Sequence, residues 1–334
     1  MPAVLLRRAL VAAATVLAVL TLTFAALHAA PGDPVRLYLG PSADAQTLEA
    51  TRRQLGLDRP LPAQYLEWLA RFASGDWGTS IAQRRPVTRV LGDAVGPTLL
   101  LTGVSLVLSY LLGIAAGALQ AARAKGRADV ALTAITATLQ AVPGYVLALG
   151  LVLVFAYQAA LWDWPDALRL PAMGAESVGA DFLSGPERLA DRLRHLALPL
   201  ATLTLIGAAG AARYVRAATL AALRQPFVLA ARARGLSGAR VLTRHALRQA
   251  LLPVITLAGL QLPALFSGVV FIEAIFAWPG MGRVAVQAVL ARDYPVVMAV
   301  TAVFAALVIA GGLLADAAAG LADPRTREGG GEAA

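Results

Sequence analysis

Six stretches of this 334-residue chain are apolar for about 20 residues each: 9–30, 97–119, 130–158, 195–212, 251–272 and 295–315. A helix rises about 1.5 Å per residue, so roughly 20 such residues cross a hydrocarbon core of about 30 Å. In lipid every backbone N–H and C=O must be satisfied inside its own segment, which leaves helices as the economical structure for runs of this kind. The expected fold class is therefore an all-α polytopic membrane protein with six transmembrane helices. A composition of 58% hydrophobic and 15% charged residues, with mean hydropathy +0.66, agrees. Proline interrupts several runs, at Pro143, Pro199, Pro253 and Pro263. Each removes a backbone donor and is expected either to set a kink or to mark a break that lines a pathway.

Charge sets the orientation. With both termini inside, the inner segments hold 15 cations against five acids and the outer segments 14 against 15, or about +10 inside and −1 outside. This bias favours an N-in, C-in arrangement. Arg7 and Arg8 before the first run imitate a secretory signal, but the run continues to Ala30 and His28-Ala29-Ala30 is a poor cleavage site. Residues 1–30 are read as a retained signal-anchor helix. Net charge +9 does not point to nucleic acid, because the cations lie in loops between spans without interleaved aromatics. There is no cysteine, hence no disulfide and no thiolate ligand.

Residues 31–96 form the largest outer segment. Tyr65, Trp68 and Phe72 recur at helical spacing, one aromatic face that fits either an interfacial helix at the headgroups or a platform for an outer partner. The second outer loop, 160–194, is acidic and has no cluster with metal-ligand spacing.

Catalytic machinery is not visible. The single lysine, Lys125, precedes Gly126, so there is no phosphate-binding G-x-x-x-x-G-K-[ST] loop, and His28, His195 and His245 stand apart in sequence. No metal and no cofactor are expected. The span centres offer uncharged polar groups such as Gln140 and Gln261, while Glu273 sits at the outer end of the fifth span. These three are weak candidates for a substrate pathway. Without a nucleotide site or an ion-coupling charge of its own, a chain like this needs a partner to energise transport.

The polar segment between the fourth and fifth spans carries the rest of the argument. Between Ala209 and Ile272 there are eight arginines (213, 216, 224, 232, 234, 240, 244, 248) and no acid. Helix four should continue past the membrane to about Arg234, with a bend at Pro226. Gly235 fits the left-handed C′ position, and Ser237 can N-cap a short second helix with Arg240, Arg244 and Arg248 along one face. Such an element can dock in a groove of a cytoplasmic protein, or its arginines can simply fix topology and hold anionic lipid.

This segment resembles the loop that marks inner-membrane permeases of ATP-binding cassette importers, E-A-A, three residues, G, then I-x-L-P. Ala230-Ala231, Gly235 and Leu252-Pro253 match it, with Leu229 at the E position and Ala250 at the I position. The wider chain resembles the dipeptide/oligopeptide/nickel permease family through HAAPGDPVRLYLG (28–40), LGLDRPLPAQYLEWLARFASGDWGTS (55–80), the 244–297 stretch and ADPRTR (322–327). PGDP and LGLDRP point to the first of the two permeases such systems contain. AVPGYVLAL (141–149) departs from the family's Trp-containing stretch.

The resemblance implies a type I importer fold: an anchor helix (1–30), an extracytoplasmic domain (31–96), a permease core (95–320) with a coupling loop (213–250), and an inner tail (321–334). It implies partners: a homologous second permease, two ATPase subunits, an extracytoplasmic solute-binding protein and a peptide or similar solute, in a bacterial inner membrane. Ala230, Ala231, Arg232, Arg234, Gly235, Leu236, Ser237 and Arg240 become the contacts to the ATPase. The protein would itself be a non-catalytic subunit. Two other classes remain open: an ion-driven or channel-like transporter, and a membrane anchor for a cytoplasmic complex.

Overall fold

The computed structural model describes residues 2–29, 34–40, 43–54, 56–251, 254 and 268–322, and these are helical almost throughout. Among the described residues, five helices are long and apolar enough to cross a membrane. They lie in α1 (Pro2–Ala29), α5 (Val87–Ala122), α7 (Gly144–Leu161), α8 (Gly185–Leu223) and α12 (Tyr294–Ala322). The expected fifth span, 251–272, lies mostly outside the described residues, as do Gln261, Pro253, Pro263 and the 323–334 tail. At 36 and 39 residues, α5 and α8 run about 54 and 58 Å, nearly twice a hydrocarbon core, so both extend well beyond their apolar stretches.

The expected third span, 130–158, is not one helix. α6 (Arg127–Ala141) stops at Val142, whose backbone is extended (φ −78°, ψ 125°), and α7 starts after Pro143. Pro143 has no N–H to continue the ladder and its ring disfavours helical geometry at the residue before it. The spanning segment is therefore the 18 residues of α7, with one π-helical stretch at Leu153–Gln158.

The chain divides into two compact units. One comprises residues 1–98 and 279–309; the other holds 99–278 and 310–334. In the first, α2 (Pro34–Leu39), α3 (Ala45–Gln54) and α4 (Leu61–Ala73) follow α1. The aromatic face of α4 is half-covered from within the unit. Tyr65, Trp68, Phe72 and Trp77 stack in series, centroids 6.3, 5.1 and 4.9 Å apart. Trp68 and Phe72 pack with Leu20, Phe24, Leu27 and Met298 from α1 and α12. The face is half-buried by these contacts. Asp293 fastens the other end of this segment: completely buried, it takes the Ser80 hydroxyl and the Ala82 N–H (3.0 Å), and caps the first turn of α12 through the Val296 N–H (3.4 Å).

In the second unit α5 and α8 touch almost backbone to backbone. A Cβ on Gly113 would collide with Ala211, and one on Gly117 would lie 2.6 Å from the Ala212 carbonyl oxygen. The Ser109 hydroxyl, on the same face, donates to Thr204 O at 3.2 Å. This is the small-x-x-x-small packing by which helices associate in lipid, where apolar side chains alone supply no net attraction. α8 itself begins where Ser184 N–H donates to Glu187 (3.0 Å), a capping-box contact, with Pro186 in its first turn.

Candidate functional site

The arginine-rich segment folds as two short helices around one glycine. α8 ends at Leu223 rather than continuing to Arg234, and α9 (Pro226–Ala233) is a separate helix. Pro226 occupies its first position, where a missing N–H costs nothing, and Gln225 before it is extended (φ −77°, ψ 150°). Gly235 then takes the left-handed conformation, φ +77°. Its N–H donates to Arg232 O (2.9 Å) and the Leu236 N–H to Ala231 O (3.4 Å), the paired bonds of a Schellman motif. Ala231 and Leu236 pack together with Val228, Val241 and Leu223, the apolar contact that accompanies this stop.

Ser237 has the N-cap backbone expected of it (φ −60°, ψ 147°), but its hydroxyl makes no capping hydrogen bond. α10 opens at Gly238–Arg240 and passes into a π-helical stretch, Val241–Ala246, before 247–251 resume α geometry. The wider turn brings Val241 and Ala246, five residues apart, to the same buried side, followed by Ala250. Arg240, Arg244 and Arg248 are all exposed.

The candidate residues thus separate by role. Ala231 is buried and Leu236 half-buried, holding the turn together, while Ala230, Arg232, Arg234, Gly235, Ser237 and Arg240 are exposed. Leu229 (65% exposed), at the E position of the loop motif, and Phe227 (39%) lie open beside them, although the sequence reading named neither as a contact. Exposed apolar side chains flanked by arginines can be buried in a groove while the arginines meet acids.

A cavity of about 390 Å³ lies between the apolar segments of the same unit. Gln140, the penultimate residue of α6, lines it together with Tyr145, Ile206 and Phe271. Two glycines make the room: a Cβ on Gly210 would stand 2.9 Å from Gln140 Nε2, and one on Gly144 3.1 Å from Ile206 Cδ1. Glu273 is fully buried in the protein and is not among the residues lining this space. Gln261 lies outside the described residues.

Residues 109–328 match the family described as "Binding-protein-dependent transport system inner membrane component", and residues 1–102 match its N-terminal companion, "Binding-prot-dependent transport system membrane comp, N-term". The chain belongs to this family. It is a multi-pass permease component of the bacterial inner membrane, part of a binding-protein-dependent importer. Among its relatives, the oligopeptide transport system permease protein AppB of Bacillus subtilis (strain 168) is 37% identical over 326 residues, 97% of this permease and 99% of that protein. The glutathione transport system permease protein GsiC of Escherichia coli (strain K12) is 37% identical over 285 residues, 85% and 86% of the two chains. A crystal structure of an amino acid ABC transporter with histidines superposes with a TM-score of 0.51 at 16% identity, covering 69% of this permease and 92% of that chain, so the helical fold is shared.

Gly113 and Gly117 were a signal present in the sequence and not used. Their four-residue spacing in an apolar run is a helix-packing motif that can be read directly. Phe227 and Leu229 carried no such sign, since only the breaks at Gln225 and Gly235 decide which side of α9 faces outward.

Proposed function

We propose that this permease forms half of an ATP-driven import pathway for peptides or a related small solute, and that loop 230–253 couples the pathway to an ATPase subunit. The names of its relatives, oligopeptide and glutathione permeases, support that solute class. On this reading residues 1–30 anchor the chain, 31–96 lie outside the membrane, and 95–320 form the core. The chain pairs with a homologous second permease, each resting on one ATPase, and takes solute from an extracytoplasmic binding protein. It performs no chemistry of its own. Ala230, Arg232, Arg234, Gly235, Ser237 and Arg240 meet the ATPase with Phe227 and Leu229, while Ala231 and Leu236 hold the turn. Gln140 faces the solute in the cavity.

The observation that carries this reading is the Schellman turn at Gly235, which packs α9 and α10 together as one knuckle with Phe227 and Leu229 exposed. A docking element transmits force only if it moves as a body. ATP binding to the partner then biases a two-state equilibrium through that knuckle, since any ligand shifts conformations only by its difference in affinity for them. The test is Gly235→Val, co-expressed with its ATPases and second permease. A β-branched residue cannot adopt φ +77° without strain, so the variant should lose ATPase retention with no change in charge. Full retention and full ATP-driven uptake in that variant would remove the coupling role from this loop.

A further inference from the structure

At the head of α6 a carboxylate is locked to α8. Asp129, the third residue of α6, is 3% exposed. Its Oδ1 accepts Arg216 Nε at 2.7 Å and its Oδ2 accepts Arg216 Nη2 at 2.8 Å, a two-pronged pairing across 87 residues of chain. Oδ2 also accepts the Lys125 backbone N–H at 2.9 Å. Thr133, one turn on, donates to Oδ1 (3.4 Å) and accepts from Gln120 Nε2 of α5 (3.0 Å). Three helices meet in one polar knot.

The position of that knot is informative. Arg216 lies seven residues before α8 ends at Leu223, about 10 Å from the start of the coupling knuckle. On the other side, Gln140 is eleven residues along α6 from Asp129, about 16 Å, where its side chain meets Gly210 of α8. The pair therefore stands between the knuckle and the cavity, on the two helices that reach both. Charges on a membrane protein's inner loops often only fix topology, but such charges face water or headgroups, whereas this aspartate is removed from both. Nor is stability a sufficient reason. Arg216 stays about a third exposed, but Asp129 is withdrawn from water, and an apolar pair of similar volume is commonly at least as stable as such an ion pair, whose best-attested use is to fix register. The knot is also incompletely satisfied: Gln120 Oε1 and, on α8, Thr219 Oγ1 are buried without a hydrogen-bond partner.

We propose that Asp129 and Arg216 are a positioning pair that makes α6 and α8 move as one lever, carrying displacement of the coupling knuckle to Gln140 and the cavity. The planar guanidinium fork fixes both distance and angle between the helices, which apolar contacts do not. The lever rests on the coupling role assigned above to loop 230–253.

The chain has no cysteine, so spin labels can be placed without background. Ile135→Cys on α6 and Ala217→Cys on α8, both exposed, report the spacing of the two helices in the assembled complex with its second permease and ATPases. With Asp129 and Arg216 intact, the distance should be the same in the nucleotide-free and ATP-bound complexes. In Asp129→Asn, with the ATPases still retained, ATP should change or broaden it by about 2 Å or more, the scale of helix shifts in switching proteins. The exchanged pair, Asp129→Arg with Arg216→Asp, should restore a constant distance. An Asp129→Leu/Arg216→Met pair should keep the folded complex yet show the same ATP-dependent slippage. A distance that changes with ATP in the intact pair, or stays constant in Asp129→Asn and in the apolar pair, overturns the lever. Gly235→Val measured alongside separates the two ideas. If that variant retains its ATPases and responds to ATP like the parent, the coupling role itself is lost, whereas a constant distance in Asp129→Asn with a failing Gly235→Val sinks the lever alone.

Discussion

Two segments of this permease set amphipathic helices beside arginines, and they end differently. On α4, Tyr65, Trp68 and Phe72 share a face, and Arg59 and Arg71 both pair with Glu67. On α9 and α10, Phe227 and Leu229 accompany Arg232, Arg234 and Arg240, with no acid in the segment. The first helix finds partners for its aromatics in α1 and α12 and for Glu67 in its own Arg71, while Leu61 and Leu66 stay exposed. The second has only a small interior of its own, Val228, Ala231 and Val241, and leaves the rest outward. A helix pattern states that a face must be covered; what covers it depends on whether the chain itself supplies the other side.

That contrast can be broken most severely at the aromatics. Trp68→Ala with Phe72→Ala should destabilise the unit holding α1 and α4 by about 3 kcal/mol or more, since each removes a large side chain from a packed cluster. Thermal unfolding in detergent measures this, and an unchanged midpoint would mean the face is free after all. The charges differ in the same sense. Asp129 is held down to about 2 from its usual 3.8, chiefly by the Arg216 guanidinium and then by the Lys125 N–H. A lowered carboxylate contributes its stability in full above about pH 4 and loses it as pH falls toward 2, a contribution on the order of 2 kcal/mol. An acid titration of stability should therefore show a step in that window that Asp129→Asn lacks, with this group's contribution constant between pH 5 and 8.

The open face should respond in binding rather than in folding. Leu229→Glu leaves no cavity, so the unfolding midpoint should stay, while ATPase retention falls about tenfold, or 1.4 kcal/mol. Equal loss of both would mean Leu229 is interior. Gly235→Ala should cost about 1 kcal/mol, less than Gly235→Val, because the surroundings are open within 4 Å and only the backbone objects. Smallest of all is Arg59→Gln. Its ion pair with Glu67 is solvent-exposed on both sides, and its loss should move the midpoint by less than about 0.5 kcal/mol.

Much of the fold was legible because lipid imposes a length. The first and last spans were expected at 9–30 and 295–315 and are found at Leu10–Ala29 and Tyr294–Leu313. Gly235 could be placed because a left-handed residue after a helix favours glycine. Pro143 was left open between a kink and a break and is a break, which hydropathy could not decide because it averages over both sides of a proline and does not register backbone angles. The same averaging hid the end of α8 at Leu223.

By itself, then, the sequence determined that this protein lives in a bilayer as helices, that its arginines gather between two spans, and that it carries no chemistry visible as a motif. Family and class follow from those local properties, each written in contiguous residues. The tertiary structure decided which faces were used up and which stayed open. It turned the α4 aromatics inward, opened a cavity beside Gln140 by placing Gly210 opposite it, and joined Asp129 to Arg216 across 87 residues. Such pairings depend on the meeting of distant helices, and no local pattern of hydrophobicity or charge specifies which two will meet.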